Sequence, residues 1–342
     1  MNILLTHLHL DFPGGSETYT YTVARALLER GHRPTVVSPI VGEIGERLRS
    51  AHVSVVDELQ KVLGHPDVIH SQHNVLALAA RDWFPGAPLV FHSHGTLPLP
   101  EQPPSVDLNV QRYVAVSDLV RRHLESRGVP GPLIRILENP VDLRRFAPRS
   151  ELSARPRRAL VLSAVMDPGT FEVIREACGR MDIELEVVGL DGTRTWDVER
   201  RMQDADVVFS LGRGAIESMA SGRAVFVYDR HGADGWVTPE TVDDIASHTF
   251  SGKRFRRQLT PAELVAELDR YDPAMGPANR RIAEERYDIR AHLDRLEAVY
   301  AEAQDAFEPK RLSLPAQEVE VALMALRARL PDPEDPPHVE NG

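Results

Sequence analysis

Glu217-Ser218-Met219-Ala220-Ser221-Gly222-Arg223-Ala224-Val225 follows the apolar run Val207-Val208-Phe209 and the glycine pair of Gly212-Arg213-Gly214. The apolar run predicts a buried strand, and the glycines predict a tight turn that opens a short helix over 217–221. A carboxylate at the start of such a helix, just past the carboxyl end of a strand, faces the crevice where open α/β sheets take their ligands. Ile216, Met219 and Ala220 supply the apolar side of that helix, so Glu217 is expected to point away from the core.

The pattern extends in both directions. Ile3 to Thr6 reads as a strand, Gly14-Gly15 as a turn, Ser16 or Glu17 as a helix start, and Pro34 to Ser38 as the next strand after Gly31. Further strand patterns cover 53–56, 67–70, 89–92, 113–116 and 133–137. Strands alternating with helices over this length predict a parallel, doubly wound sheet. Arg144 to Arg158 is charged and poor in large apolar residues, hence a linker, and after it the alternation restarts with strands at 159–163, 184–189, 207–210 and 224–228. Helical spacing covers 170–180, 195–202, 261–271 and 279–302. The expected organisation is a first α/β domain over 1–150, a second over 151–288, a segment 289–307, and an extension 308–342 with a helix at 317–330 before a proline-rich, acidic, disordered tail.

Composition bounds the function. The chain has 342 residues, more than one core ordinarily supports, and 42% hydrophobic with 27% charged residues is ordinary globular composition. Forty basic residues against 51 acidic ones give a net charge of −11, which argues against nucleic acid as the main ligand. The single cysteine, Cys178, has no internal partner, and a reducing cytoplasmic compartment is the expectation. The amino terminus runs straight into a strand pattern without the features of a signal peptide, and no apolar run approaches the ~20 residues that cross a bilayer. Peripheral membrane contact stays open.

Two groups of residues carry candidate chemistry on their own. Gly14-Gly15-Ser16-Glu17 lies between a strand and a helix, where glycines admit close approach and free N–H groups attract an anion; an ordinary tight turn capped by Ser16 fits the same letters. Histidines gather at the predicted strand ends: His7 and His9, His70 and His73, His92 and His94. Spacing of two on a strand puts both rings on one face, so His-x-His is either a metal clamp or a pair of hydrogen-bonded strand-end residues.

The passage Tyr113-Val114-Ala115-Val116-Ser117-Asp118, then Gly128-Val129, Ile134, Glu138-Asn139-Pro140-Val141-Asp142 and Arg144-Arg145-Phe146, is similar to the end of the amino-terminal domain in glycosyltransferase family 4. Gly14-Gly15-x-Glu17, His94-Gly95 and Glu217-x-Met219-Ala220-x-Gly222-x-x-Val225 extend the resemblance, in order, to about residue 305. It implies the GT-B fold, an α/β architecture of two facing Rossmann-like domains with parallel, doubly wound sheets. The implied activity is transfer of a hexose from a nucleotide-diphosphate sugar, UDP- or GDP-linked, to an acceptor that the sequence does not name. Retention of anomeric configuration, no cofactor and no bound metal are implied too. On the same resemblance Glu217 accepts the ribose hydroxyls, Gly14 and Gly15 let the first helix approach the donor, His94 stands near the transferred sugar, and Gly235 with Trp236 contacts the donor unless Trp236 is a core anchor. The family's last helix crosses back to the first domain, with 291–304 as the candidate.

The chain departs from the family pattern in two places. The glutamate expected eight positions before Glu217 is Phe209, and the Arg and Lys that follow the first strand of the second domain are missing from Leu162 to Gly169. A diphosphate leaving group needs facing cations or N–H dipoles. Arg213, flanked by Gly212 and Gly214, is the first replacement and Lys253 and Arg254 are the second. Two alternatives share the fold: a non-catalytic or regulatory nucleotide-binding protein, and a sugar-nucleotide epimerase.

Overall fold

The computed structural model describes residues 1–163, 166–189 and 195–310. The first domain alternates β1 (Asn2–Thr6), α1 (Gly15–Glu29), β2 (Arg33–Val37), α2 (Gly42–Ser50), β3 (Ser54–Val56), β4 (Val68–Ser71), α3 (Asn74–Trp83), β5 (Leu89–Ser93), β6 (Val110–Ala115), α4 (Asp118–Ser126) and β7 (Ile134–Ile136). The seven strands are parallel in the order β3-β2-β1-β4-β5-β6-β7. The order reverses between β1 and β4, so the crevice of this sheet opens where α1 begins.

The second domain contains β8 (Arg158–Leu162), α5 (Pro168–Arg180), β9 (Glu184–Val188), α6 (Val198–Asp204), β10 (Val207–Ser210), α7 (Gly212–Ala220), β11 (Ala224–Asp229) and β12 (Gly232–Trp236). Then come α8 (Val242–Ala246), α9 (Pro261–Leu268), α10 (Met275–Arg286) and α11 (Ile289–Asp305). Its sheet runs β12-β11-β10-β8-β9, with its own reversal between β8 and β10. The fold is GT-B.

Four sequence expectations need correction. Gly212-Arg213-Gly214 is the first turn of α7, not a turn ahead of it, so Glu217 sits in the middle of the helix. Gly212 adopts the left-handed conformation (φ +50°), and a side chain on Gly214 would collide with Ser210 Oγ, which donates to Leu162 O at 2.8 Å. Those two glycines are thus explained by helix entry and by helix–sheet packing. The segment 232–236 is an antiparallel edge strand paired with β11, so the second sheet is not wholly parallel. The helix expected over 279–302 is two helices, because Asp288 caps α11 by accepting from Arg290 N–H at 2.9 Å and its backbone bridges to Val141. The helix expected from Thr195 starts at Val198, leaving Trp196 on a loop. The helix expected at 317–330 and the tail after it lie outside the described residues.

Packing joins the ends of the chain. Ile289, Leu293, Leu296, Val299, Tyr300 and Ala303 of α11 belong to the same buried cluster as Ile3, Leu5, Tyr19, Val23 and Leu27 of the first domain. The last described helix therefore completes the first core. No described helix is long and apolar enough to cross a membrane.

Candidate active site

A cavity of about 260 Å³ lies between the domains, at the reversal points of both sheets. Ligand pockets are typically ~300–1,000 Å³, so this one lies just below that range. Gly14 and Gly15 form its wall on the first domain. Leu162 and Ser163 after β8, Val188 and Gly189 after β9, and Ser210 and Leu211 after β10 form the other. Arg213, Gly214 and Glu217 of α7 close it, with Arg145 from the segment that joins the domains.

The α1 and α7 termini that meet here have N-caps, Gly14 and Leu211, without a side-chain cap hydrogen bond. Gly212 N–H, the first of α7, is taken by Phe250 O at 3.0 Å, so it is the helix starts around Gly14, Gly15 and Gly214, which line the cavity, that favour an anion there. A side chain at Gly14 would meet the Glu17 carboxylate, which would have to swing aside.

Arg213 and Glu217 are both buried, and Arg213 Nε lies 2.8 Å from Glu217 Oε1, an ionic contact without the alignment of a hydrogen bond. Arg213 also donates to Pro140 O and to Thr22 Oγ1 of α1, each at 2.9 Å. One guanidinium thus ties the second domain to the first and to the crossing segment. Burial lowers its pKa, Glu217 opposes that shift, and the Arg145 guanidinium adds to it. The expectation of a crevice-facing Glu217 holds only in part: the carboxylate reaches the cavity, but from a buried position and already paired.

Arg145, which lines the cavity, is in the sequence only one of three basic or aromatic letters closing a motif. In the structure it pairs with Glu199 at 3.0 Å, donates to the Trp196 carbonyl, and stacks 3.9 Å from the centre of the Trp196 ring. Trp196 in turn meets Arg47 of α2 at 4.7 Å and Tyr21 of α1 at 4.6 Å. This clasp closes one side of the cavity with contacts from both domains. Nothing in the sequence marked Trp196, since its neighbours in space lie 175 and 149 positions away.

The other expected donor residues fall elsewhere. Trp236 is a core anchor whose indole N–H donates to Glu267 O at 3.0 Å and whose ring packs on Phe226. Gly235 has φ +90° and lies against the Arg257 guanidinium. Arg254 is exposed and paired with Asp244 at 2.6 Å. None of these, nor Gly212 or Lys253, lines the cavity.

His94 also stands outside the cavity lining, half-buried just past β5 beside a layer of buried histidines. Its Nε2 is 2.7 Å from Gln72 Oε1, and its ring stacks on His92 at 4.4 Å and meets Tyr19 edge-on at 4.8 Å. His70 stacks on His92 at 5.2 Å and shares a 2.6 Å hydrogen bond with Tyr300 of α11. Tyr19 OH bridges His92 Nδ1 at 3.1 Å and His292 Nε2 at 3.5 Å. Burial first, then neighbouring histidines and Arg213, holds His94 well below the usual imidazole value, so the ring is neutral. His7 lies beyond the end of β1, not on it, with Nδ1 2.5 Å from His9 O. Among the described residues no group of three or more His, Cys, Asp or Glu could hold a metal ion.

Residues 13–145 match the model of Glycosyltransferase Family 4. By its first domain the chain resembles that family. The match runs from the wall of the cavity at Gly14 to the cation Arg145, so the family-like segment contains the first-domain side of the site. No curated protein matches the chain. Among solved structures, HepE of Anabaena in complex with UDP and glucose superposes with a TM-score of 0.61 at 15% identity, covering 87% of this chain and 99% of HepE. The lipopolysaccharide outer core galactosyltransferase WaaB aligns with a TM-score of 0.54 at 12% identity, over 88% of this chain and 100% of WaaB. A protein provisionally named as a UDP-N-acetylglucosamine 2-epimerase from Listeria monocytogenes aligns at 0.53 and 13%, over 92% and 99%. At such identities these likenesses establish the fold alone.

Proposed function

We propose that this chain transfers a sugar from a uridine-diphosphate sugar to a separate acceptor, without a bound metal and with retention at the anomeric carbon. The observation that carries the reading is the cavity itself, where two helix starts without a side-chain cap, two arginines and Glu217 converge. HepE, of like fold, is described with UDP, with UDP-glucose, and with UDP and glucose. In this reading Glu217 Oε2, the oxygen not facing Arg213, accepts the ribose hydroxyls. Arg213 and Arg145 stand in for the cations missing between 162 and 169, and the N–H groups near Gly14, Gly15 and Gly214 supply the remaining positive potential to the departing diphosphate. His94, neutral, serves the sugar hydroxyls from the first-domain side.

A thermal-shift screen of UDP, GDP and their glucose conjugates, followed by sugar release in the presence and absence of a chelator, tests this. A nucleotide present at a hundred times its dissociation constant stabilises by ~2.7 kcal/mol, a readily measured change. Stabilisation by UDP-glucose with chelator-insensitive release of glucose is expected. Nucleotide binding with neither transfer nor hydrolysis would instead indicate a non-catalytic receptor, and a new sugar-nucleotide epimer formed without acceptor would indicate an epimerase.

A further inference from the structure

The segment Lys253-Arg254-Phe255-Arg256-Arg257 does not line the cavity, yet it is built with care. Its near end is fixed where Gly212 N–H donates to Phe250 O at 3.0 Å, and its far end where Arg257 pairs with Ala233 through hydrogen bonds of 2.8 and 3.2 Å. Between them the buried Asp234 carboxylate accepts the Phe255 N–H at 2.8 Å. Thr249, Phe250 and Arg256 all hold positive φ, +60°, +52° and +56°, a conformation that costs a non-glycine residue and persists only when its surroundings impose it. The loop is therefore held in one shape, with residues 254–257 exposed.

Its charge is not neutralised. Arg254 pairs with Asp244 and Arg257 with Glu267, but no carboxylate of the described residues comes within ion-pair distance of Lys253, Arg256 or the neighbouring exposed Arg230. Burial, then Arg230 and Arg256, lowers the Lys253 amine below its ordinary value, which shows like charges facing one another. His231, on the same hairpin turn, is lowered by burial and by the same three cations. Amid them Phe255 leaves 42% of its surface in solvent, with the Arg254 guanidinium 5.3 Å from its ring.

We infer that the 253–257 loop, with Arg230, docks this protein onto an anionic lipid surface. The features fit that occupant better than a dissolved anion. The exposed cations project from one short loop with an apolar ring among them, and a bilayer interface receives headgroup charge and an aromatic ring together. The chain as a whole carries a net −11 and is repelled by such a surface, so attachment falls to this loop, where cations gather. Because the loop is tied to the start of α7, docking sets the orientation of the interdomain cavity relative to the bilayer. The inference does not depend on which reaction the cavity performs.

The test is sedimentation of the full chain with vesicles of phosphatidylcholine alone and of phosphatidylcholine mixed equally with phosphatidylglycerol. Salt-sensitive binding to the mixed vesicles only is expected. Each cation near such a surface is worth roughly fivefold in affinity, so Lys253→Gln combined with Arg256→Asn lowers binding by at least ~10-fold. Asparagine tolerates the left-handed backbone at 256, and an unchanged melting temperature verifies the fold. Phe255→Ser is expected to weaken binding separately, whereas Arg155→Gln with Arg295→Gln, exposed cations elsewhere, is expected to leave it unchanged. No binding to the mixed vesicles, equal binding to phosphatidylcholine alone, or a loop variant that binds like the parent would overturn the proposal. So would full displacement by soluble polyphosphate together with an inert Phe255→Ser, which would make the loop a polyanion site.

Discussion

Arg213 and Glu217 illustrate how a residue's partners limit what its mutation reports. Each is buried and each is the other's counter-charge, so truncating either leaves a buried charge unpaired, a loss of roughly 3–5 kcal/mol. An alanine at 217 would therefore confuse unfolding with loss of ligand. Glu217→Gln keeps the shape and an oxygen for Arg213, which also retains Pro140 O and Thr22 Oγ1, while removing the carboxylate proposed to receive the ribose hydroxyls. Affinity for the preferred nucleotide is expected to fall at least ~10-fold, about 1.4 kcal/mol, with the far-ultraviolet spectrum unchanged. Calorimetric affinity equal to that of the parent would remove Glu217 from the ribose site. That Glu217 reaches the interdomain cavity was legible from its position after β10. Its pairing was not, because Thr22 and Pro140, which fix Arg213, carry no pattern that points across 191 or 73 positions.

At the scale of elements, the stacked histidines of β4, β5 and their flanks form a titrating layer against α1 and α11. Burial lowers His70, His73 and His292 to about 3 and holds His7, His92 and His94 well below the imidazole range. An unfolded histidine titrates near 6.5, so below that pH the unfolded chain binds more protons and stability falls as acid is added. Glu101, raised to about 7 by burial, then by Glu17, and Glu17, raised mainly by burial, act oppositely, their contribution being lost as pH rises. Six histidines outweigh two carboxyls. Chemical denaturation is thus expected to show stability declining between about pH 6.5 and pH 5, each histidine contributing up to ~1.4 kcal/mol per pH unit. His70→Gln should flatten that slope, and constant stability down to pH 5 would contradict the buried-neutral assignment. The strands that hold this layer were read from β-branched runs and turn letters, since both sheets are buried and nearly parallel. β12 was not, because Gly232-Ala233-Asp234-Gly235-Trp236 has the composition of a loop and becomes a strand only by pairing with β11. The single apolar period over 279–302 concealed the Asp288 cap for a related reason: both helices keep the same spacing across the break.

For the whole molecule, the described residues divide into two α/β units whose first core is finished by α11. A chain ending at Asp288 would keep every strand of both sheets but would uncover the Ile3, Tyr19 and Leu27 face. Such a truncation is expected to bind the dye ANS and lose the sharp unfolding transition of the first domain. A direct fusion of 289–307 behind residue 150 is expected to restore it. A fragment 1–150 that melts cooperatively, with no added helix, would show that α11 is dispensable. The alternation of strand and helix made the two units readable in the sequence, but the clasp of Trp196 with Arg47, Tyr21 and Arg145 depends on how the units face each other, which no local pattern encodes.

That closing helix also gives the chain an order of assembly. The ribosome delivers the seven strands of the first unit early, yet the segment that seals them leaves the exit tunnel only after the second unit has been made. Topologically the second domain is an insertion, a loop more than a hundred residues long, carried between two parts of one core. During synthesis the nascent first sheet therefore waits with an apolar face open, and its completion reports that the inserted domain has already emerged.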